Sequence, residues 1–192
     1  MRLILARHGE TEENTTDTIT STLPGKLTWK GVEQARKLGM RLKEEKIDTV
    51  YSSDLKRAAD TARVVASYLR GAPLQLAAEL RERDCGSATG KTKEEAGLPK
   101  GKSAVTFPFE GAETPKAVRA RAGAFLQKLL SEHPEGTVLV ISHKGFLCAL
   151  ITILQGRPWQ AMDDVKTGNC IPVFFNVGKD GSVETENQDQ SA

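Results

Sequence analysis

Leu3-Ile4-Leu5-Ala6-Arg7-His8-Gly9-Glu10-Thr11 passes without a break from four apolar residues to an arginine, a histidine and a glycine. A short continuous apolar run ended by glycine reads as a buried strand feeding a turn into a helix, the unit of a covered parallel sheet. In open α/β folds, ligands bind in the crevice outside the carboxyl ends of such strands. His8 therefore falls at the binding edge, with the Arg7 guanidinium beside it. A histidine there serves as base, metal ligand or nucleophile, and the rest of the chain has to separate these roles.

Thr137-Val138-Leu139-Val140-Ile141 repeats the pattern, ending in Ser142-His143-Lys144-Gly145 before an apolar helix that reaches Leu154. Two histidines at the ends of two buried strands can converge although they lie far apart in sequence. Ile47 to Tyr51 is another strand. After it, Ser52-Ser53-Asp54 offers capping oxygens to a helix with Ala58, Ala62, Val65 and Leu69 on one face, Gly71 as its stop and Arg57 in its first turns. Thr28 caps a helix carrying Val32, Ala35, Leu38 and Leu42. Thr114 caps another, with Pro115 at its first position and an apolar stripe of Val118, Ala122, Phe125, Leu126 and Leu129. Residues 9 to 27 read as a loop, Leu74 to Leu76 as a short strand, and residues 83 to 113 as a lid or side loop with little periodicity. Ile171 to Val177 and Val183 to Thr185 suggest a hairpin, and Asn187 to Ala192 a frayed polar tail. Strands alternating with helices predict a three-layer α/β/α sandwich with a mainly parallel central sheet, in one domain spanning 1–192.

The bulk properties narrow the function. At 192 residues and 39% hydrophobic content the chain is long enough for one sizeable core. A net charge of +2, from 27 basic and 25 acidic residues, argues against a nucleic-acid or membrane partner, so recognition by charge has to be local. The beginning of the chain has no signal-peptide pattern and no apolar run reaches membrane-spanning length. The dispersed Cys85, Cys148 and Cys170 fit a reduced, cytoplasmic setting, with Cys85 in the lid open to oxidation. Together with only His8, His133 and His143 they make a poor metal-ligand set, so neither a metal nor a cofactor is expected. His133 reads as a structural residue at a helix end, and Phe107-Pro108-Phe109 as filling under a loop. What remains is a local positive site. The Arg7 and Arg57 guanidinium forks, and the amides that open the helix at Lys144 and Gly145, suit an anion with several oxygens.

Five segments, in order, carry a resemblance. They are Arg7-His8-Gly9-Glu10-Thr11 with Asn14; Leu27-Thr28 leading to Gly31 and Gln34-Ala35; Ser52-Ser53-Asp54-Leu55 with Arg57, Ala58 and Thr61-Ala62; Leu80-Arg81-Glu82 before Gly86 and Gly90; and Val140-Ile141-Ser142-His143. Together they resemble the histidine phosphatase superfamily, the phosphoglycerate mutase-like family. The resemblance implies that fold, and it implies that His8 attacks phosphorus and is transiently phosphorylated. Arg7, Arg57 and His143 would hold and neutralise the phosphoryl oxygens, His143 being more useful protonated, and Asn14 would add a hydrogen bond. Glu82 matches the proton donor to the leaving alkoxide, which later activates water. Glu79 competes with it, and the alternative for the charges of residues 79 to 83 is a solvated loop; without the resemblance, Arg57 reads equally as a surface helix arginine. Lys144 stands where many relatives have a small residue and either contacts phosphate or carboxylate or faces solvent. Glu13 stands where tryptophan is frequent, and Trp29 where an acidic residue is common, so the substrate rim differs from the family pattern.

The activity this implies is a metal-independent phosphomonoester hydrolase acting on a small phosphorylated metabolite. The alternative within the family is a cofactor-dependent phosphoglycerate mutase, whose insertion over the site tends to be longer than the stretch from Gly86 to Thr114. A catalytically idle phospho-ligand module is the more remote alternative; it would keep the arginines without needing Glu82. Lys91, Lys93, Lys100 and Lys102 suit a substrate with a second anionic group or serve solubility, and both monomer and dimer stay open.

Overall fold

The computed structural model describes residues 1–186, so the expected frayed tail at 187–192 lies outside the described residues. The chain runs from β1 (Arg2–Arg7) through the one-turn α1 (Glu12–Thr15) to α2 (Trp29–Leu42), β2 (Thr49–Ser53), α3 (Lys56–Ala66) and β3 (Leu74–Ala77). It continues through α4 (Pro115–Glu132), β4 (Thr137–Ser142), α5 (Lys144–Leu154), β5 (Val173–Val177) and β6 (Val183–Thr185). Successive side chains of a strand point to opposite faces. Leu3 and Leu5 of β1, with Val138 and Val140 of β4, therefore enter one core, while Ile4, Ala6, Leu139 and Ile141 enter the other. Both strands read as unbroken apolar runs because both faces are covered. Ala35, Leu38 and Leu42 of α2 and Ala58, Ala62 and Val65 of α3 close one side. Val118, Ala122, Phe125 and Leu129 of α4 and Phe146 and Leu150 of α5 close the other. The expected three-layer arrangement is present.

The six strands lie in the order β3-β2-β4-β1-β5-β6. The first four are parallel, β5 is antiparallel to β1, and β6 is antiparallel to β5. β4 thus sits between β1 and β2, and their carboxyl ends open on one crevice.

Local chemistry sets the helix starts. Thr28 and Thr114 accept from the backbone N–H of Gly31 and Ala117, as their cap positions require. Three local expectations need correction. Residues 9 to 27 contain α1, closed by a capping box between Thr11 and Asn14. β2 runs on through Ser52 and Ser53, because both pair with β3 and Ser52 also pairs with β4. The residue preceding α3 is Leu55, without a side-chain cap; Ser53 Oγ instead accepts from the Leu55 N–H at 3.2 Å. Residues 83 to 113 are also less open than a lid suggests. Ile19, Cys85 and Ala88 form a small separate cluster there, backed by Ala96, Ala104 and Phe109.

Candidate active site

Strand register builds the site. Arg7 pairs with Ser142, and the His8 N–H donates to the Ser142 carbonyl at 2.9 Å. His8 and His143, the next residue of each strand end, therefore stand together with ring centroids 5.2 Å apart. Arg57 arrives from the first turn of α3, after the neighbouring β2.

The loop after β1 is held by glycine contacts and side-chain hydrogen bonds. A Cβ on Gly9 would lie 2.4 Å from the Gly31 carbonyl oxygen, and one on Gly31 would lie 2.1 Å from that of Glu10, so the backbones meet where only glycine fits. Gly9 N–H donates to Thr61 Oγ at 3.0 Å, and Glu10 N–H to Gln34 Oε1 at 2.8 Å. On the other side, Asn169 Nδ2 donates to the His8 carbonyl at 2.8 Å.

These contacts aim the imidazole. His8 Nδ1 lies 2.7 Å from the Gly9 carbonyl, which accepts its proton and leaves Nε2 as the ring nitrogen with a lone pair. Arg57 Nε donates to that Nε2 at 3.3 Å. Burial, and then the charges of Arg7 and Arg57, hold His8 well below the ordinary histidine value, so its ring is neutral near pH 7.

Arg57 is 2% exposed, which removes the surface-arginine reading. Its Nη2 donates to Ser21 at 2.8 Å, and Nη1 donates to the Leu23 and Pro24 carbonyls. Burial pulls it down to about 10, still protonated at neutral pH. Burial also lowers Arg7. Three buried nitrogens in this cluster, Arg7 Nε and both ring nitrogens of His143, have no hydrogen-bond partner among the described residues. Each such group costs about 1–3 kcal/mol, and in a native fold that cost points to a ligand role.

Burial, followed by the charges of Arg57, His8 and Arg7, holds His143 well below the ordinary value, so its ring is neutral before a phosphoryl group binds. It is fully buried beside His8.

Glu82 faces the crevice, and Oε1 accepts from Gly145 N–H at 2.9 Å and from Arg83 N–H at 2.8 Å. The Gly145 amide, expected to point at an anion, thus serves a carboxylate of the chain itself. A Cβ on Gly145 would come within 2.5 Å of that oxygen. Glu79 pairs loosely with Lys128 instead and is not part of the lining.

A crevice of about 650 Å³ gathers Arg7, His8, Asn14, Arg57, Glu82 and Lys144. Asn14 Oδ1 accepts from Thr11 N–H at 3.2 Å, leaving its NH₂ group as the part that can donate to a ligand. Lys144 is exposed at the rim. Of the four lysines in the loop, Lys93 and Lys102 line the crevice, and Lys93 is paired with Asp17. Cys85 also lines it, but is 5% exposed with its thiol pushed up to about 11 by burial, so the oxidisable surface thiol is corrected to a buried, unreactive one. The sequence reading missed Asn169 and Arg83. Gly168-Asn169, a turn signal ahead of the last strands, could have marked the first; nothing local marks the second.

Among the described residues no group of three or more His, Cys, Asp or Glu side chains is placed to hold a metal ion, and no helix is long and apolar enough to cross a membrane.

The profile of the histidine phosphatase superfamily (branch 1) matches residues 3–188. A 2,3-bisphosphoglycerate-dependent phosphoglycerate mutase of Methylobacterium sp. (strain 4-46) is 31% identical over 197 residues, covering 96% of this chain and 95% of that protein. Among solved structures, the alpha-ribazole phosphatase from Shigella flexneri superposes with a TM-score of 0.86 at 27% identity, covering 97% of this chain and 95% of that one. Phosphoserine phosphatase from Entamoeba histolytica, in complex with 3-phosphoglyceric acid, superposes with a TM-score of 0.84 at 25% identity over 98% of each chain.

Proposed function

This chain belongs to the histidine phosphatase superfamily (branch 1), and from that premise we propose that it is a metal-independent phosphomonoester hydrolase acting through a phosphohistidine on a small phosphorylated metabolite. The observation that carries the reading is the state of His8. Its Nδ1–H is committed to the Gly9 carbonyl, its Nε2 lone pair faces the crevice cluster, and the ring is neutral.

A phosphomonoester dianion binds with its non-bridging oxygens on Arg7 and Arg57, with Asn14 adding a donor. Arg57 Nε–H passes from His8 Nε2 to a substrate oxygen, which releases the lone pair. Nε2 then attacks phosphorus in line with the leaving group; the N–P bond forms as the P–O bond to the alcohol breaks. Glu82 in its acid form gives its proton to the departing alkoxide. Water enters, loses a proton to the Glu82 carboxylate and attacks phosphorus; the P–N bond breaks, and phosphate leaves. The guanidinium charges supply the charge stabilisation on which phosphoryl transfer chiefly depends. His143, whose ring nitrogens have no partner among the described residues, joins in holding the phosphoryl oxygens, and their negative charge favours its protonation.

The names of the superposed phosphatases support hydrolysis. The name of the curated relative supports a second reading, in which phosphohistidine passes its group to a second hydroxyl of a phosphoglycerate instead of to water. One experiment separates them: a panel of phosphorylated metabolites, assayed with a chelator present, for phosphate release and for 3- to 2-phosphoglycerate interconversion. Phosphate release that persists in chelator is expected, with His8→Ala lowering it on the order of 10⁴-fold or more. Loss of activity on chelation, or near-normal turnover without His8, would sink the proposal. Interconversion without net release would replace it by the mutase.

A further inference from the structure

We infer that Arg83 is a positioning residue for Glu82: its buried guanidinium ties the segment from Ala104 to Glu113 over the site and fixes the backbone that carries the proton-transferring carboxylate. The inference rests on the hydrolase reading above. Arg83 is 2% exposed and among the largest fully buried side chains. Its Nε donates to the Glu113 carbonyl at 2.7 Å, Nη1 to those of Ala104 at 2.7 Å and Val105 at 3.2 Å, and Nη2 to that of Phe107 at 2.9 Å. One planar fork therefore gathers carbonyls from two ends of a loop that has little periodicity of its own. A lysine ammonium has no such fork.

The residues flanking Glu82 are held from both sides. Arg121 of α4 donates to the Glu79 carbonyl at 2.7 Å and to that of Arg81 at 2.8 Å, and pairs with the Glu113 carboxylate at 2.8 Å. Glu113 is thus shared, its carbonyl by Arg83 and its carboxylate by Arg121. The Arg83 carbonyl accepts from Ser21 Oγ at 3.2 Å, and the Ser21 carbonyl accepts from Arg57. A continuous set of hydrogen bonds therefore runs from the phosphate-facing guanidinium to the residue beside the acid. Glu82 is left with its two amide donors, Arg83 N–H and Gly145 N–H, in a fixed arrangement.

The test uses the full-length protein with Arg83→Met and Arg83→Lys. For Arg83→Met, turnover of an alkyl phosphate is expected to fall about 10- to 100-fold, the scale of a misplaced catalytic group. An aryl phosphate, whose leaving group needs little protonation, should lose several-fold less, with vanadate affinity within about threefold of wild type. Glu82→Gln should give the same split, and the double variant no further loss. Equal losses on both substrates, or losses that multiply in the double variant, overturn the positioning role.

Cys85 supplies a readout independent of turnover. Its Sγ lies 3.7 Å from the Arg83 carbonyl, and it packs in the small cluster with Ala104 and Phe109. Peptide-mapped alkylation should label Cys85 about tenfold faster in Arg83→Met, by local opening, while Cys148 and Cys170 stay protected. Unchanged labelling beside normal hydrolysis by the wild type overturns the clamp alone. If Arg83→Met exposes all three thiols it has unfolded, and Arg83→Lys then carries the same comparison. Wild-type protein that hydrolyses neither substrate overturns the hydrolase reading and the positioning role with it, whatever the labelling shows.

Discussion

His8 and His143 carry their proton chemistry through burial. Both sit well below the ordinary histidine value, and desolvation is the first cause for each, with neighbouring guanidinium charge next. The unfolded chain, with histidines near about 6.5, takes up protons at a higher pH than the folded one. Folding stability from these two residues is therefore complete above about pH 6.5 and falls as the pH drops below it, by up to about 1.4 kcal/mol per pH unit per histidine. A thermal midpoint flat from pH 8 to 7 and declining towards pH 5 is expected, with a shallower decline in His143→Gln. Parallel profiles for the two proteins would refute the neutral His143. The sequence marks both histidines, but not their resting charge, because only the fold brings burial and the guanidiniums of Arg57, Arg7 and Arg121 to bear on His143.

At the scale of elements, the decisive contacts are those between helix starts and loops. Gly145, in the first turn of α5, and the pair Gly9 and Gly31, where the loop after β1 crosses α2, are all places without room for a Cβ, yet they differ in what is crowded. At Gly145 the nearest atom is a carboxylate oxygen at the end of a flexible side chain; at Gly9 and Gly31 it is backbone. Gly145→Ala is therefore expected to leave the fold nearly as stable as before, while displacing Glu82 and lowering alkyl-phosphate turnover about 10- to 100-fold. Gly31→Ala should instead destabilise by about 1–3 kcal/mol, because neither backbone can give way cheaply. Denaturant midpoints and turnover on the two variants test this contrast, and a Gly145→Ala enzyme with unaltered turnover would refute it. Element positions were largely legible, since threonine caps and apolar periodicity are local. α1 and the carboxyl end of β2 were not: a one-turn helix has too few residues for a period, and Ser52 and Ser53 are strand residues only because neighbouring strands pair with them.

Across the whole molecule, two cores clamp one sheet, and β4 lies at its centre between β1 and β2. Leu139 is fully buried in the core on the α2–α3 side, three pairs along the register from Arg7 and Ser142, the pair that precedes the histidines. Leu139→Ala is expected to cost about 2–5 kcal/mol from lost burial and the cavity it leaves. A loss below about 1 kcal/mol in urea unfolding would contradict that packing. The sequence alone determined the fold class, the strand-end histidines, Arg7 and the threonine-capped starts of α2 and α4, because alternation of apolar runs and caps is written locally and a buried strand presents its terminal residues at the sheet edge. Tertiary structure decided the rest: that β1 and β4 are neighbours, that Arg57 turns inward onto His8, that Gly145 serves Glu82, that Asn169 reaches the His8 carbonyl from a distant loop, and that the Arg83 side chain turns inward to the carbonyls of residues 104 to 113. Those outcomes depend on strand order and on which buried groups must find hydrogen-bond partners, and both are properties of the assembled sheet and loops rather than of any one segment.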